Sequence, residues 1–400
     1  MEMKTKLATA FLIFFLFLSC FLSINISSVS AQTNQIYWGA WVGTESRMPL
    51  STIQAFESNV GKGLAIWNWE QWWIDSTDST HDPNFNFAWM NECRSHGSIP
   101  MVSWAPSSIL IPGTYNGYSD ILSGKFDAYL DQWGKDSAAW GHPYFVRLEW
   151  EFNGQWAPNT QTPWANGGTP ALFVAQWQYI VNRVRAAGGT QISWIWCPAQ
   201  CMEPESQLQT VYPGDQYVDW VGTDVYSTLD HAQTYLNEIR QIAPDKPVML
   251  PEIGYSPADG NTYWNNILTN ELPNKYPYIK AVCYWASDQN DVVTTYPLFK
   301  NGLASSYYAS NQFSSISSTP ILPLGSVTPT PTQSSVPTWN PTPSLSPTFS
   351  SVPVKSSGFD VTDVAIVVIV AAMVFVAVAQ KKNPKKIKPK KKSSSKKSRK

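Results

Sequence analysis

The chain is poor in charge: only 14% of its 400 residues are Asp, Glu, Lys or Arg. Its four His residues (His81, His96, His142 and His231) have no ligand spacing around them, which leaves a zinc site unsupported. No Gly-rich phosphate turn follows the first strand-like run, which argues against an open dinucleotide-binding sheet. Basic charge is scarce outside the two ends. Once Lys4, Lys6 and the twelve basic residues after Gln380 are set aside, 14 Lys and Arg remain between Gln32 and Asp360, beside 27 of the 29 acids, a net charge of −13. A field of that sign disfavours nucleic acid and anionic polysaccharides as partners and is comfortable with a neutral polymer. No cofactor and no metal are expected.

Three segments have compositions unlike a globular core. Lys4 and Lys6 precede an apolar run from Leu7 to Leu22 and the small residues Val29-Ser30-Ala31, the pattern of a signal peptide spanning 1–31. The alternative, an uncleaved anchor helix, needs a run of about 20 residues, and this one is shorter. Residues 318–357 are dominated by Ser, Thr and Pro and read as an extended linker that buries nothing. Val361 to Ala379 is apolar apart from Thr362 and Asp363, and the Lys-rich tail 380–400 follows at once. That is the pattern of a transmembrane helix with a cytoplasmic flank. The expected location is the cell surface, with the main domain outside and one C-terminal helix in the membrane. Without the leader, Cys93, Cys197, Cys201 and Cys283 remain, an even number for an oxidising compartment. A Cys197–Cys201 bridge is one of several pairings open to them.

Between residues 32 and 317, short strand-like runs alternate with helical segments. The runs are Ile36–Trp41, Leu64–Trp69, Pro100–Trp104, Tyr144–Trp150, Gln191–Trp196, Trp220–Val225, Pro247–Pro251 and Ala281–Trp285. Between and after them lie Ser51–Ser58, Asn86–His96, Asp120–Trp140, Pro170–Ala187, Glu203–Gln209, His231–Ile242, Asn261–Asn270 and Ala304–Phe313. Eight such repeats predict an α/β fold, a (β/α)8 TIM barrel whose chemistry sits on the loops at the C-terminal ends of the strands.

Two of those ends carry a glutamate. Arg147-Leu148-Glu149-Trp150-Glu151-Phe152-Asn153-Gly154-Gln155-Trp156 closes the fourth run, and Pro251-Glu252-Ile253-Gly254 closes the seventh. Two carboxyl groups facing one another across a pocket are what cleavage of a glycosidic bond needs. The chain also has 20 Trp and 18 Tyr; most such rings are core, but flat rings also stack on sugar faces.

The RLEWEFNGQW and LPEIG segments, with WVGTDVY between them, resemble glycoside hydrolase family 26, over most of Gln32 to about Gln312. The resemblance implies a retaining endo-β-glycosidase acting on a neutral β-linked polysaccharide: a β-mannan, a β-1,3-xylan or a β-glucan. It implies Glu151 as acid/base and Glu252 as nucleophile, with Arg147 and Tyr226 lying against Glu252. Trp285 is implied as an aromatic floor, and Trp156 as lining of a neighbouring subsite. Asn153 belongs to the same motif. Asp224 reads either as a sugar ligand or as a carboxylate that orders loops, and Glu149 as exposed or paired. The mannan-cleaving members carry a His where this chain has Trp150, which weakens mannan as substrate. The alternative function is a non-catalytic carbohydrate-binding or adhesion protein on the same barrel.

Overall fold

The computed structural model describes residues 34–326 apart from 44–46, 74–81, 107–116, 155–162, 165–166, 201–204 and 288–290. The leader, the linker beyond 326, the apolar run 361–379 and the Lys-rich tail lie outside these residues. Among the described residues, no helix is long and apolar enough to cross a membrane.

The strands are β1 (Ile36–Gly43), β2 (Ile66–Trp72), β3 (Ile99–Ala105), β4 (Tyr144–Leu148), β5 (Ile192–Trp196), β6 (Trp220–Gly222), β7 (Val248–Ile253), β8 (Ile279–Ser287) and the short β9 (Tyr308–Ala309). β1 through β8 pair in sequence order, and β1 pairs with both β8 and β2, closing an all-parallel eight-stranded barrel. β9 adds to the start of β1. The helices are α1 (Leu50–Val60), α2 (Phe87–His96), α3 (Tyr118–Leu122), α4 (Asp127–Trp140), α5 (Pro170–Ala186), α6 (Leu229–Ile242), α7 (Gly260–Asn266) and α8 (Pro297–Leu303).

Local chemistry sets many of these boundaries. The Asn86, Thr169 and Thr228 side chains accept hydrogen bonds from the backbone N–H groups of Trp89, Leu172 and His231, capping α2, α5 and α6. Gly124 has φ +84° and divides the expected helix Asp120–Trp140 into α3 and α4. The helix expected over Ala304–Phe313 is absent. The helical turns come earlier, as α8 with Pro297 at its start, and Tyr308–Ala309 joins the sheet instead.

Alternate residues of each strand point into the barrel. Tyr37, Ile66, Ile99, Met101, Phe145, Ile195, Trp220, Met249, Ala281 and Cys283 form the inner cluster, distinct from the larger cluster between strands and helices. The N-terminal end of the barrel is closed by the chain after β9. Ile321 is buried in the inner cluster, its N–H donates to Ser193 Oγ at 2.8 Å, and its carbonyl accepts from Trp220 Nε1 at 2.7 Å. Tyr37 donates its hydroxyl to the Leu322 carbonyl at 2.8 Å. The packing of the barrel thus runs past residue 317, where composition alone drew the boundary.

Candidate active site

β4 ends at Leu148, two residues earlier than its hydrophobic run suggests. Glu149 and Glu151 adopt left-handed backbone, with φ +45° and +53°, a conformation that costs a residue with a Cβ on the order of 1 kcal/mol. Hydrogen bonds hold this turn: Glu149 N–H to the Trp104 carbonyl, Glu151 N–H to the Cys197 carbonyl and Gly154 N–H to the Glu151 carbonyl, all at 2.8 Å. The two glutamates then part. Glu149 is fully buried and accepts from Gln176 Nε2 of α5 at 2.7 Å, while Glu151 sits at the barrel mouth.

Glu252 reaches the mouth by a different device. Leu250 pairs with Val282 and Ile253 with Tyr284, so Pro251 and Glu252 together oppose the single residue Cys283. This bulge shifts the inward-facing position by one and turns Glu252 into the barrel. An oxygen from each of Glu151, Asp224 and Glu252 lies within 4.8 Å of the others.

Arg147, wholly buried on β4, organises this group. Its Nη1 donates to both oxygens of Asp224 at 2.7 and 2.8 Å, its Nη2 to Glu252 Oε1, and its Nε to Ser103 Oγ at 3.0 Å. Burial alone would favour a neutral guanidine, but Asp224 and Glu252 outweigh it and hold Arg147 firmly protonated. Asp224 is pushed well above the usual carboxylate range, chiefly by burial, with Arg147 opposing and Glu252 and Glu151 adding to the rise. Three carboxyl groups around one guanidinium cannot all ionise cheaply, so the cluster is built to hold a proton. It also has the composition of a cation site, but Arg147 already supplies the positive charge. Tyr226 donates its hydroxyl to Glu252 Oε2 at 2.6 Å. Burial, then the charge of Glu252, pushes its phenol well above the ordinary value and keeps it a donor. Gly254 makes room, since a Cβ there would meet the Tyr226 ring at 3.1 Å.

The other expected site residues fall in different places. Both Asp224 oxygens are engaged by Arg147, so this carboxylate orders the site from beneath. Asn153 directs its side chain to the Ala199 backbone and to Tyr235, and so clamps the loop after β5 rather than facing the mouth. Trp150 is buried against Trp72, ring centroids 5.0 Å apart, with the Arg147 guanidinium 5.3 Å from its ring. Trp285 is half-buried and stacks on Trp41 at 4.0 Å and 15°. Trp156 lies outside the described residues. Cys93, Cys197 and Cys283 are free buried thiols. Cys197 is therefore not in the bridge considered for it, and its Sγ rests 3.4 Å from Asp224 Oδ1; Cys201 is not described.

Sequence reasoning missed Ser103, Trp41 and Glu70. Glu70 sits in register with Ser103, which is itself in register with Arg147, and the three therefore share the inner face. The alternation in Asn68-Trp69-Glu70-Gln71-Trp72 carried the signal, but Glu70 lies past the expected end of β2.

Fold and site together define a closed β/α barrel in which glutamates from the ends of the fourth and seventh strands meet at one mouth. Residues 112–298 match the model of glycosyl hydrolase family 26, the family that the sequence motifs resemble. Endoglucanase H of Acetivibrio thermocellus is 27% identical over 313 residues, covering 72% of this chain and 32% of its own length. A β-1,3-xylanase of a Vibrio species is 28% identical over 160 residues, covering 38% of this chain and 33% of its own. The chain thus spans about a third of the length of these curated relatives. Among solved structures, a family 26 β-mannanase from Bacteroides ovatus superposes with a TM-score of 0.55 at 16% identity, over 70% of this chain and 92% of the other. A mannanase from Bacillus subtilis gives 0.53 at 18%, over 71% and 89%. At such identities the likeness is one of fold.

Proposed function

We propose that the barrel is a retaining endo-β-glycoside hydrolase acting on a neutral β-linked polysaccharide. The observation that carries this reading is the approach of Glu151 and Glu252 within 4.8 Å. Retention needs carboxyl groups about 5–5.5 Å apart, whereas inversion needs about 6.5–9.5 Å to admit a water. Arg147 and Tyr226 hold Glu252 as an oriented carboxylate, and the protonated member facing the scissile oxygen is Glu151. Glu252 attacks the anomeric carbon as Glu151 gives its proton to the departing sugar oxygen. Glu151 then takes a proton from water, which displaces Glu252 from the anomeric carbon and restores both groups.

The names of the relatives, an endoglucanase, a β-1,3-xylanase and mannanases, bound the choice of sugar. Trp150, enclosed by Trp72 and Arg147, brings a single N–H donor to its position, which favours a glucan or xylan over a mannan. The same reading places the enzyme at the cell surface, exported by the 1–31 leader and held by the helix 361–379.

Glu252→Gln is expected to abolish turnover of glucan, xylan and mannan panels while leaving oligosaccharide affinity nearly unchanged. Glu151→Ala is expected to retain activity on aryl glycosides with good leaving groups and to be accelerated by azide. A parent protein that binds a β-glycan, yet forms no covalent adduct with the 2-fluoro glycoside of that sugar, is a carbohydrate-binding protein instead.

A further inference from the structure

The mouth has a second wall, on β1 and β2, that the two-carboxylate chemistry does not use. Trp41 on β1 is in register with Trp285 of β8 on one side and with Asn68 of β2 on the other. Its ring stacks on Trp285. Trp41 is 5% exposed and Asn68 2%, yet neither Trp41 Nε1 nor Asn68 Nδ2 has an acceptor among the described residues. The Asn68 Oδ1 end is fixed, accepting from Ser103 Oγ at 3.0 Å, and Ser103 is in turn held by Arg147. Buried donors without acceptors are rare because each forfeits its hydration. Two neighbouring ones on the inner face at the C-terminal ends of β1 and β2 mark a surface shaped for a polar ligand.

Glu70, two residues beyond Asn68 on the same face of β2, completes that wall. It is half-buried, and Trp72, the next inward residue of β2, packs against Trp150. The charged groups facing it are Glu252 from β7, Arg147 from β4 and Glu151 from the turn after β4. Burial is the main cause that pushes the Glu70 carboxyl up to about 8; Glu252 adds, Arg147 opposes and Glu151 adds. At neutral pH Glu70 is therefore a carboxylic acid, able to give one hydrogen bond and accept others. A sugar hydroxyl has the same dual capacity, whereas a further carboxylate at this point would repel Glu252 and Glu151.

We propose that Glu70, with the Trp41 indole N–H beside it, reads the ring hydroxyls of the sugar lying over Trp285 and so sets which neutral β-linked sugar this site accepts. The inference rests on the glycan reading above but not on turnover. Glu70 touches the sugar and takes no part in bond cleavage, so its loss shows in the ranking of sugars.

The test is isothermal titration of the full chain with thio-linked gluco-, xylo- and manno-oligosaccharides, which are not cleaved, and with monodeoxy forms of the tightest binder. Glu70→Ala and Trp41→Phe are each expected to weaken the preferred sugar about tenfold, the worth of one hydrogen bond. The other two series are expected to change less than about threefold, and one monodeoxy probe to bind parent and Glu70→Ala equally. Glu70→Gln, which keeps a donor and an acceptor, restores the preference. Should Glu70→Ala fail to fold by circular dichroism, the pH dependence decides: parent affinity falls between pH 6 and pH 9 while that of Glu70→Gln stays level. The proposal is overturned by equal weakening of all three series, by no weakening, by parallel pH curves, or by a parent chain that binds none of the probes. Failure of the fluoro glycoside trap with these binding results intact sinks the hydrolase reading alone.

Discussion

The two ends of the barrel are built on opposite terms. At the N-terminal end, Ile321 fills the inner cluster, and the polar groups around it are paired: Trp220 Nε1, Tyr37 Oη and Ser193 Oγ all bond to the chain near it. At the C-terminal end, a buried arginine faces three carboxyl groups, two glutamates sit in left-handed backbone and two buried donors lack acceptors among the described residues. The first end lowers the free energy of the folded state. The second raises it, and the strain and unpaired groups persist because the closed sheet beneath over-determines their positions. Stability and recognition are thereby separated along one axis of one domain.

That contrast can be broken most severely at Arg147. Arg147→Met leaves Asp224 and Glu252 buried without their cation, and a broken buried pair costs about 3–5 kcal/mol. The expected result is a large fall in the urea midpoint together with loss of glycan turnover. A variant that keeps its midpoint would show that water, not protein, balances the carboxylates. Next comes the closed end. Ile321→Ala, or a chain ended at Gln312, is expected to lose about 2–4 kcal/mol through the cavity at the barrel floor, with oligosaccharide affinity unchanged at a temperature where the protein stays folded. A drop in affinity of the folded variant would show that the two ends are coupled.

The smallest effect concerns pH. Glu70 titrates near 8 in the folded protein, above its ordinary value of 4.5, so the folded state holds this proton more tightly than the unfolded chain does. The stabilisation is fully present below pH 4.5 and is lost as pH rises through about 8. Glu70→Gln, which cannot ionise, is expected to gain thermal stability relative to the parent between pH 5 and pH 9. An equal difference in Tm at both pH values contradicts a half-buried, protonated Glu70.

Much of this was legible in the chain itself. Period-two runs separated by capped helices specify a β/α repeat, because side-chain facing and cap hydrogen bonds are local properties of a few neighbouring residues. Eight repeats then close into a barrel, and a residue at a strand exit becomes a candidate for its C-terminal mouth. What the chain could not reveal depends on atoms far apart in sequence. Asp224 serves Arg147 because β4 and β6 flank β5 on either side and both turn side chains to the interior, and Asn153 clamps a loop because that loop returns beside it. Glu252 points inward because of a bulge that only pairing with β8 defines. Glu70 escaped notice because its protonation depends on burial and on charges 77, 81 and 182 positions away, and Ile321 because a few apolar residues at the start of a Ser/Thr/Pro-rich stretch carry no sign of the barrel floor they fill. Sequence determines the facing of a residue along its own element, whereas the closure of the sheet decides which residues meet, and buried charges take their chemistry from that meeting.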